Sequence, residues 1–454
     1  MLLRSAYAPL LSSFSTITNS LTPTVRQNAP LLLELPQLPP ASAYVHLPFC
    51  RKRCHYCDFP IIALGSSSDH HEHDDPRISS YVDTLCREIA ATKLSSTTCP
   101  PLQTVFLGGG TPSLVPPRLV SSVLDALSSK FGVSADAEIS MEMDPGTFNA
   151  AAMKELMNLG VNRVSLGVQS FQAELLRSCG RAHGVGEIFE AVEIVKTCGV
   201  ENWSVDLISS LPHQTPAMWE ESLQLTVAAQ PTHVSVYDLQ VEQDTKFGTL
   251  YTPGEFPLPS ENQSADFYKM ASTMLGNSGY EHYEISSYCK SGYRCKHNST
   301  YWKNKSFYGF GLGSASHIGG VRFSRPRRLK EYVSYVQDLE KGSVNGRDGV
   351  AEVKDLAMDV VMLSLRTADG LDLKSFREAF GEAILVSILE VYRPYVERGL
   401  VIWLDEQRRE VAADELVGVS SSFNHKLAYL RLSDPDGFLL SNELIALAFG
   451  LISP

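Results

Sequence analysis

From residue 43 to residue 240 the chain alternates between short apolar runs and amphipathic stretches, and this alternation constrains the fold most. The runs are "AYVHLPF", "TVFLGGG" (104–110), "EISMEMDP" (138–145), "RVSLGVQSF" (163–171), "NWSVDLIS" (202–209) and "THVSVYDLQ" (232–240). They are rich in β-forming residues and read as strands. Between them, "YVDTLCREIAATKL", "RLVSSVLDALSSKF", "AAMKELMNLG", "GEIFEAVEIVKTCG" and "MWEESLQLTVAAQ" place apolar residues at helical spacing. Strand–helix alternation of this kind builds a parallel sheet with right-handed crossovers. A barrel or partial barrel is the first expectation and a doubly wound open sheet the second. The distinctive polar residues and glycines fall at expected strand C-ends: Cys50 onward, Gly108–Thr111, Asp144, Gln169, Asp206 and Gln240. Loops converge at that end of such a fold, so a site is expected there.

At 454 residues there is room for two or three domains, and 44% apolar with 20% charged residues fits a globular chain. A net charge of -12 argues against binding nucleic acid by broad electrostatic attraction. No apolar run is long enough to span a membrane. The nine cysteines are an odd number and only three of them cluster, which does not suit a disulfide scaffold.

Residues 1–33 contain no acidic residue and many Ser and Thr, with Arg4 and Arg26 as the only charges. This is the composition of a transit peptide, mitochondrial or plastid; the plain alternative is an untargeted tail. "LPQLPPAS" reads as a linker into the folded part. "GSSSDHHEHDDP" (65–76) holds His70, His71 and His73 but reads as a solvated loop rather than a metal site. After residue 350, "DLAMDVVMLSLRTADGLDLKSFREAFG" reads as two helices around a turn, "LVIWLDEQRREVAA" as a short hairpin and "SNELIALAFG" as a last helix. Together they suggest a small α/β domain of winged-helix character.

The loop after the first strand, "HLPFCRKRCHYCDFP", carries Cys50, Cys54 and Cys57 in a C-x3-C-x2-C spacing. Thiolates suit zinc or iron–sulfur clusters. Structural zinc wants four ligands, and His55, between two cysteines, is badly placed to complete a tetrahedron. Three thiolates can anchor three irons of a cubane and leave the fourth open. S-adenosylmethionine (SAM) can chelate such an iron through its amino and carboxylate groups, and an electron delivered there starts radical chemistry. Incidental thiols or a partial zinc site are the plain alternatives.

Further along, "GGGTP" (108–112) follows a strand. It reads either as a tight turn or as a place where missing side chains let backbone approach a ligand. Glu142 and Asp144 lie two apart on the third strand and share a face. Gln169 and Asp206 end later strands in this reading and could bond ribose hydroxyls. Arg181, in "CGRAHG", could pair with a carboxylate.

The cysteine spacing after a first strand resembles the signature of the radical SAM superfamily. With "AYVHLPFC", "GGGTP", "EISMEMDPGT", "SLGVQSF", "GRAHG", "DLISSLPHQT" and "GLDLKSFREAFG" in order, the chain resembles the oxygen-independent coproporphyrinogen III dehydrogenase family from about residue 43 to its end. The resemblance implies a partial (β/α)6 TIM-like barrel with a small C-terminal α/β winged-helix-like domain. It implies a [4Fe–4S] cluster on Cys50, Cys54 and Cys57, and SAM contacts at Tyr44, Gly109, Gly110, Thr111, Glu142, Gln169, Arg181 and Asp206. It divides the chain into a transit peptide and linker (1–40), a barrel (41–275), an extension (276–345) and a C-terminal domain (346–454).

Within that family the decarboxylating branch carries Cys-x-Cys at the end of the cluster motif, where this chain has Phe59. "CKHNSTYW" (295–302) resembles the HNxxYW hallmark of the HemW-type branch, haem chaperones that bind haem and pass it to haem proteins. That resemblance implies haem at His297, with Cys295 second and His317 a further candidate, and with Tyr301 and Trp302 as flat apolar cover. Taken alone, the same residues read as a satisfied core histidine with two packing aromatics. Two positions depart from the family: Ser210 stands where Gly is common and Ser287 where Asn is. The alternatives are a radical coproporphyrinogen III dehydrogenase and a zinc-stabilised binding module; Phe59 makes the dehydrogenase activity the weaker expectation. Expected partners are haem, haem-accepting proteins, an electron donor for the cluster and a second copy of the chain. The expected location is a chloroplast or mitochondrion, with the cytoplasm as alternative.

Overall fold

The computed structural model describes residues 39–65, 75–94, 99–343, 352–412 and 426–453. The transit-peptide reading of residues 1–33 and the histidine loop with His70, His71 and His73 lie outside them. Six parallel strands form the core: β1 (Ser42–Leu47), β2 (Leu102–Gly109), β3 (Val133–Met143), β4 (Arg163–Gln169), β5 (Asn202–Ser209) and β6 (His233–Asp238). Each is followed by a helix: α1 (Pro76–Ala91), α2 (Pro117–Phe131), α3 (Ala150–Asn158), α4 (Val185–Thr197), α5 (Pro216–Ala229) and α6 (Glu261–Asn277).

Local chemistry explains the helix starts. Asp75 caps α1 by accepting from Arg77 N–H, and Pro76 opens the helix, where its missing N–H costs nothing. The buried stripe Ile78, Tyr81, Val82, Leu85 and Ile89 then faces the sheet. Asn149, Thr215 and Ser260 cap α3, α5 and α6 in the same way.

The six strands lie side by side in sequence order with no reversal. A doubly wound sheet reverses at its switch point, so the barrel-type arrangement holds and the doubly wound alternative falls. The sheet continues past both edges with residues of the expected extension. β7 (Glu281–Glu284) and β8 (Ser287–Cys289) add antiparallel strands beyond β6, and β9 (Tyr308–Phe310) pairs with β1, giving the order β9–β1–β2–β3–β4–β5–β6–β8–β7. Between them lies α7 (Lys296–Trp302).

The two faces of each strand differ. Val45, Val105, Met141, Val164, Val205 and Val234 point to the helices and are fully buried there. Their neighbours turn inward and are largely polar: Thr104, Glu138, Ser140, Ser165, Ser204 and Asp206. The inner face therefore carries the hydrogen-bonding groups a site needs, while the outer face supplies apolar burial.

In the C-terminal region, helices Val353–Ser364, Leu373–Phe380, Glu382–Glu397 and Ser441–Ile452 pack on a three-stranded antiparallel sheet of Leu371–Asp372, Tyr429–Leu432 and Val401–Leu404. The expected short hairpin over "LVIWLDEQRREVAA" is present, with Asp405 N–H donating to Arg409 O and Val411 N–H to Trp403 O, both at 2.9 Å. Val401–Leu404 returns to Glu410 through a single bridge and takes Tyr429–Leu432 as its strand partner.

Candidate cofactor site at the barrel mouth

The cysteine loop leaves the C-terminal end of β1. Cys50, Cys54 and Cys57 are free thiols, each partly buried. Burial pushes the Cys50 thiol up to about 12 and the Cys57 thiol up to about 11, and neighbouring thiols add to both shifts. Among the described residues, no three His, Cys, Asp or Glu side chains gather tightly enough for one metal ion. Three neighbouring but ungathered thiols fit a cubane, whose ligands attach to three separate irons, better than a single zinc.

Several bonds fix the loop. Tyr44 O–H faces His46 Nδ1 at 3.1 Å and His46 Nε2 faces Pro60 O at 3.0 Å. Burial lowers His46 to about 4, so the ring is neutral; with Nε2 protonated it donates to Pro60 O and accepts from Tyr44. Arg53 Nη1 donates to Cys57 O at 3.1 Å and Phe59 O at 2.8 Å.

Across the mouth, Arg181 is the organising cation. Its Nη1 donates to Tyr56 Oη at 3.2 Å and lies 3.4 Å from Cys54 Sγ; its Nη2 donates to Gly167 O at 2.9 Å and to Asp144. Asp144 also has Arg51 Nη2 at 3.7 Å and His183 Nδ1 at 3.1 Å. Burial alone would raise the Asp144 carboxyl, but Arg181, His183 and Arg51 outweigh it and hold the group below the usual range. Asp144 therefore stays ionised beside the thiols and fixes the guanidinium that faces Cys54.

The glycine run packs onto the cysteine loop. A Cβ on Gly109 would meet the His46 ring at 2.4 Å, and one on Gly110 would meet Phe49 O at 2.6 Å. A Cβ at either position would collide with the chain's own loop, so the glycines let the end of β2 pack closely against it. Thr111 Oγ1 lies 3.6 Å from Cys50 Sγ, and Gly109 N–H donates to Glu142 Oε2 at 2.9 Å. Burial pushes the Glu142 carboxyl up to about 7, with Gly109 N–H pulling the other way.

Gln169 ends β4 with φ 67°, a left-handed conformation uncommon outside glycine. Asp206 does not end its strand. It sits inside β5, three residues before Ser209, because the apolar run continues through Ile208. It accepts from Ser165 Oγ at 2.7 Å and Ser204 Oγ at 2.9 Å, and burial raises its pKa. Ser210 has φ 62°, which is why glycine suits that position.

The motif "CKHNSTYW" lies at the opposite end of the barrel. Cys295 caps α7, and Glu138 accepts from Lys296 N–H and His297 N–H, both at 3.1 Å. His297 is fully buried, with Nδ1 2.8 Å from Thr104 Oγ1 and Nε2 2.7 Å from Tyr301 Oη. Burial lowers His297 to about 3 and raises the Cys295 thiol to about 12. Tyr301 packs edge-on against His297 and Phe307, and Trp302 is buried. His317 is buried too, with Nδ1 3.2 Å from Lys305 O. None of the three expected iron ligands is open to solvent; in this arrangement α7 plugs the barrel.

The structure thus brings Tyr44, Gly109, Gly110, Thr111, Glu142, Arg181 and the three cysteines to one mouth, and sets His297, Cys295, Tyr301 and Trp302 apart. Sequence reasoning missed Arg51, Tyr56 and His183 as partners of the Arg181–Asp144 pair. Two of them lie inside the cysteine loop and the third two residues after Arg181, so motif membership was the available signal.

The sequence profile of the radical SAM superfamily matches residues 44–226. Over 416 residues, 91% of the chain, it is 38% identical to a protein of Synechocystis sp. named heme chaperone HemW, covering 98% of that protein. It is 30% identical to a Danio rerio protein named radical S-adenosyl methionine domain-containing protein 1, mitochondrial, covering 74% of it. Among solved structures it resembles coproporphyrinogen III oxidase (HemN) from Escherichia coli, with a TM-score of 0.70 and 23% identity over 91% of this chain and 90% of that one. This last likeness concerns the fold.

Proposed function

We infer the function from the premise that this chain belongs to the radical SAM superfamily and, within it, to the HemW heme-chaperone family: it binds haem and hands it to acceptor proteins, and it carries a [4Fe–4S] cluster with SAM. The observation that carries this reading is the relation to a heme chaperone across nearly the whole of that relative's length.

Cys50, Cys54 and Cys57 would hold the cluster, and Arg181, Thr111, Glu142, Gln169, Asp206, Tyr44 and the backbone of Gly109 and Gly110 would surround SAM. Bound there, the pair supplies one-electron chemistry at an open iron. The protein's own share is positional. Arg181 presents a fixed positive charge beside Cys54, and Asp144 keeps that charge oriented. Glu142 and Asp206, both raised by burial, form an inner pair able to accept or hold protons near hydroxyl groups of a ligand.

Haem ligation at His297, Cys295 or His317, with Tyr301 and Trp302 as cover, would require α7 or its surroundings to open. An organellar address in residues 1–40, an electron donor and a cluster-dependent dimer complete the reading. A reporter fused behind residues 1–40 tests the address.

The deciding test uses anaerobically reconstituted protein supplied with SAM, a reductant and haem or coproporphyrinogen III. The chaperone reading expects haem uptake and transfer to an apo-haem protein, without decarboxylation. Turnover of coproporphyrinogen III would establish the dehydrogenase instead.

A further inference from the structure

The short helix α7 has two sides. His297 turns to Thr104 inside the barrel, whereas Ser299, Trp302 and Lys303 face a cleft between α7 and the C-terminal region. The cleft holds a cavity of about 380 Å³. Sites for small molecules run from roughly 300 to 1,000 Å³, so this one is at the small end of that range.

Three cations and three aromatic rings line the cavity: Arg294, Lys303 and Arg408, with Tyr283, Trp302 and Tyr429. Two carboxylates line it too, and both have partners within the protein. Asp369 pairs with Arg294 at 2.9 Å, and Asp372 caps the helix Leu373–Phe380 by accepting from Ser375 N–H. The cations outnumber the acids, and the acids are already engaged.

Arg408 is the most telling of these residues. Its φ of 62° lies in the left-handed region that favours glycine, yet an arginine stands there. Its guanidinium lies over the Tyr429 ring, 3.5 Å from the centroid, and its Nη1 donates to Asp369 O at 2.5 Å. Stacking fixes the plane of the guanidinium and turns its N–H edge sideways, where it can meet a carboxylate. Arg294 is placed in a similar way, 5.5 Å from the centroid of the Tyr283 ring. Its pair with Asp369 is open to solvent, and such a pair contributes little, so a second carboxylate can share the same guanidinium.

Oriented cations between aromatic walls suit a flat ligand that carries carboxylates. Haem has two propionates along one edge of an apolar ring. A cavity of this size takes that edge and leaves the rest of the macrocycle outside. Resting on the haem-chaperone reading, we propose that the cleft recognises the carboxylate edge of haem, with Arg294, Arg408 and Lys303 pairing with the propionates and Trp302 and Tyr429 lying beside the ring. The cleft adds recognition of the porphyrin edge to the motif helix and leaves the iron to the ligands of that motif.

The test titrates the full chain with ferric haem and with ferric haem dimethyl ester, whose propionates carry no charge, and follows the Soret band. Wild type is expected to bind haem about tenfold tighter than the ester. Arg408→Gln and Arg294→Gln, each folded by circular dichroism, are expected to reduce that preference to about threefold or less, and Arg408→Lys to keep part of it. Rising salt is expected to narrow the wild-type preference, a measurement that needs no variant. A wild-type chain that does not distinguish the two ligands overturns the proposal, as does a full preference in both folded glutamine variants; the haem reading survives either result. A wild-type chain that binds neither ligand overturns both.

Discussion

His297 Nδ1 lies 2.8 Å from the hydroxyl of Thr104, near the start of β2, while Gly109 at the other end of the same strand lies against the cysteine loop. One strand thus connects the two sets of motif residues and holds them at opposite ends of the barrel.

Cys54→Ala should abolish iron and acid-labile sulfide binding while leaving the far-UV circular dichroism and haem titration close to wild type. Its thiol contacts Arg181 but no haem candidate. Loss of haem binding together with iron, with the fold preserved, would contradict two separable sites.

Arg181→Ala would leave Asp144 buried beside weaker partners. Removing one member of a buried ion pair costs about 3–5 kcal/mol, and urea denaturation of the cluster-free protein should approach that loss. Arg181→Lys should recover only part of it, because one ammonium cannot meet Tyr56, Gly167 and Asp144 together. Equal stability of all three proteins would show that the pair does not order the mouth.

Glu142 gives a pH prediction. Its folded pKa of about 7 lies above the ordinary 4.5, so the native state holds a proton that the unfolded state has released between these values. Its contribution to stability is fully present below about 4.5 and is lost as pH rises through about 7, up to about 3 kcal/mol in all. Glu142→Gln should flatten the fall in stability across this window. An unchanged slope would place the titration elsewhere.

His297→Ala removes two hydrogen bonds and a filled volume from the barrel plug. A loss of about 2–4 kcal/mol is expected by thermal or urea unfolding, with about 1 kcal/mol for Tyr301→Phe. A variant as stable as wild type would mean that α7 is not the structural plug described here.

Much of the barrel was legible because strands and helices repeat local chemistry. Caps such as Asn149 and Thr215, and alternation such as Ile139–Ser140–Met141–Glu142, act within a few residues. The expected mouth residues followed from the rule that loops gather at strand C-ends. Asp206 falls outside that rule: the run "NWSVDLIS" already extends to Ser209, and the inward alternation of β5 rather than its end carries Asp206 into the barrel. The inward turn of His297 was hidden, since it depends on Thr104 and Glu138, more than 150 residues away in sequence. The convergence of Arg51, Tyr56 and His183 on the Arg181–Asp144 pair joins segments that only the folded sheet brings together.

The most direct measurement is iron, sulfide and zinc content of the full chain after anaerobic reconstitution, read with its absorption spectrum. About four irons and four sulfides per chain and a brown chromophore at roughly 400 nm are expected, all absent from Cys54→Ala. A folded chain that takes up zinc and no iron would contradict it.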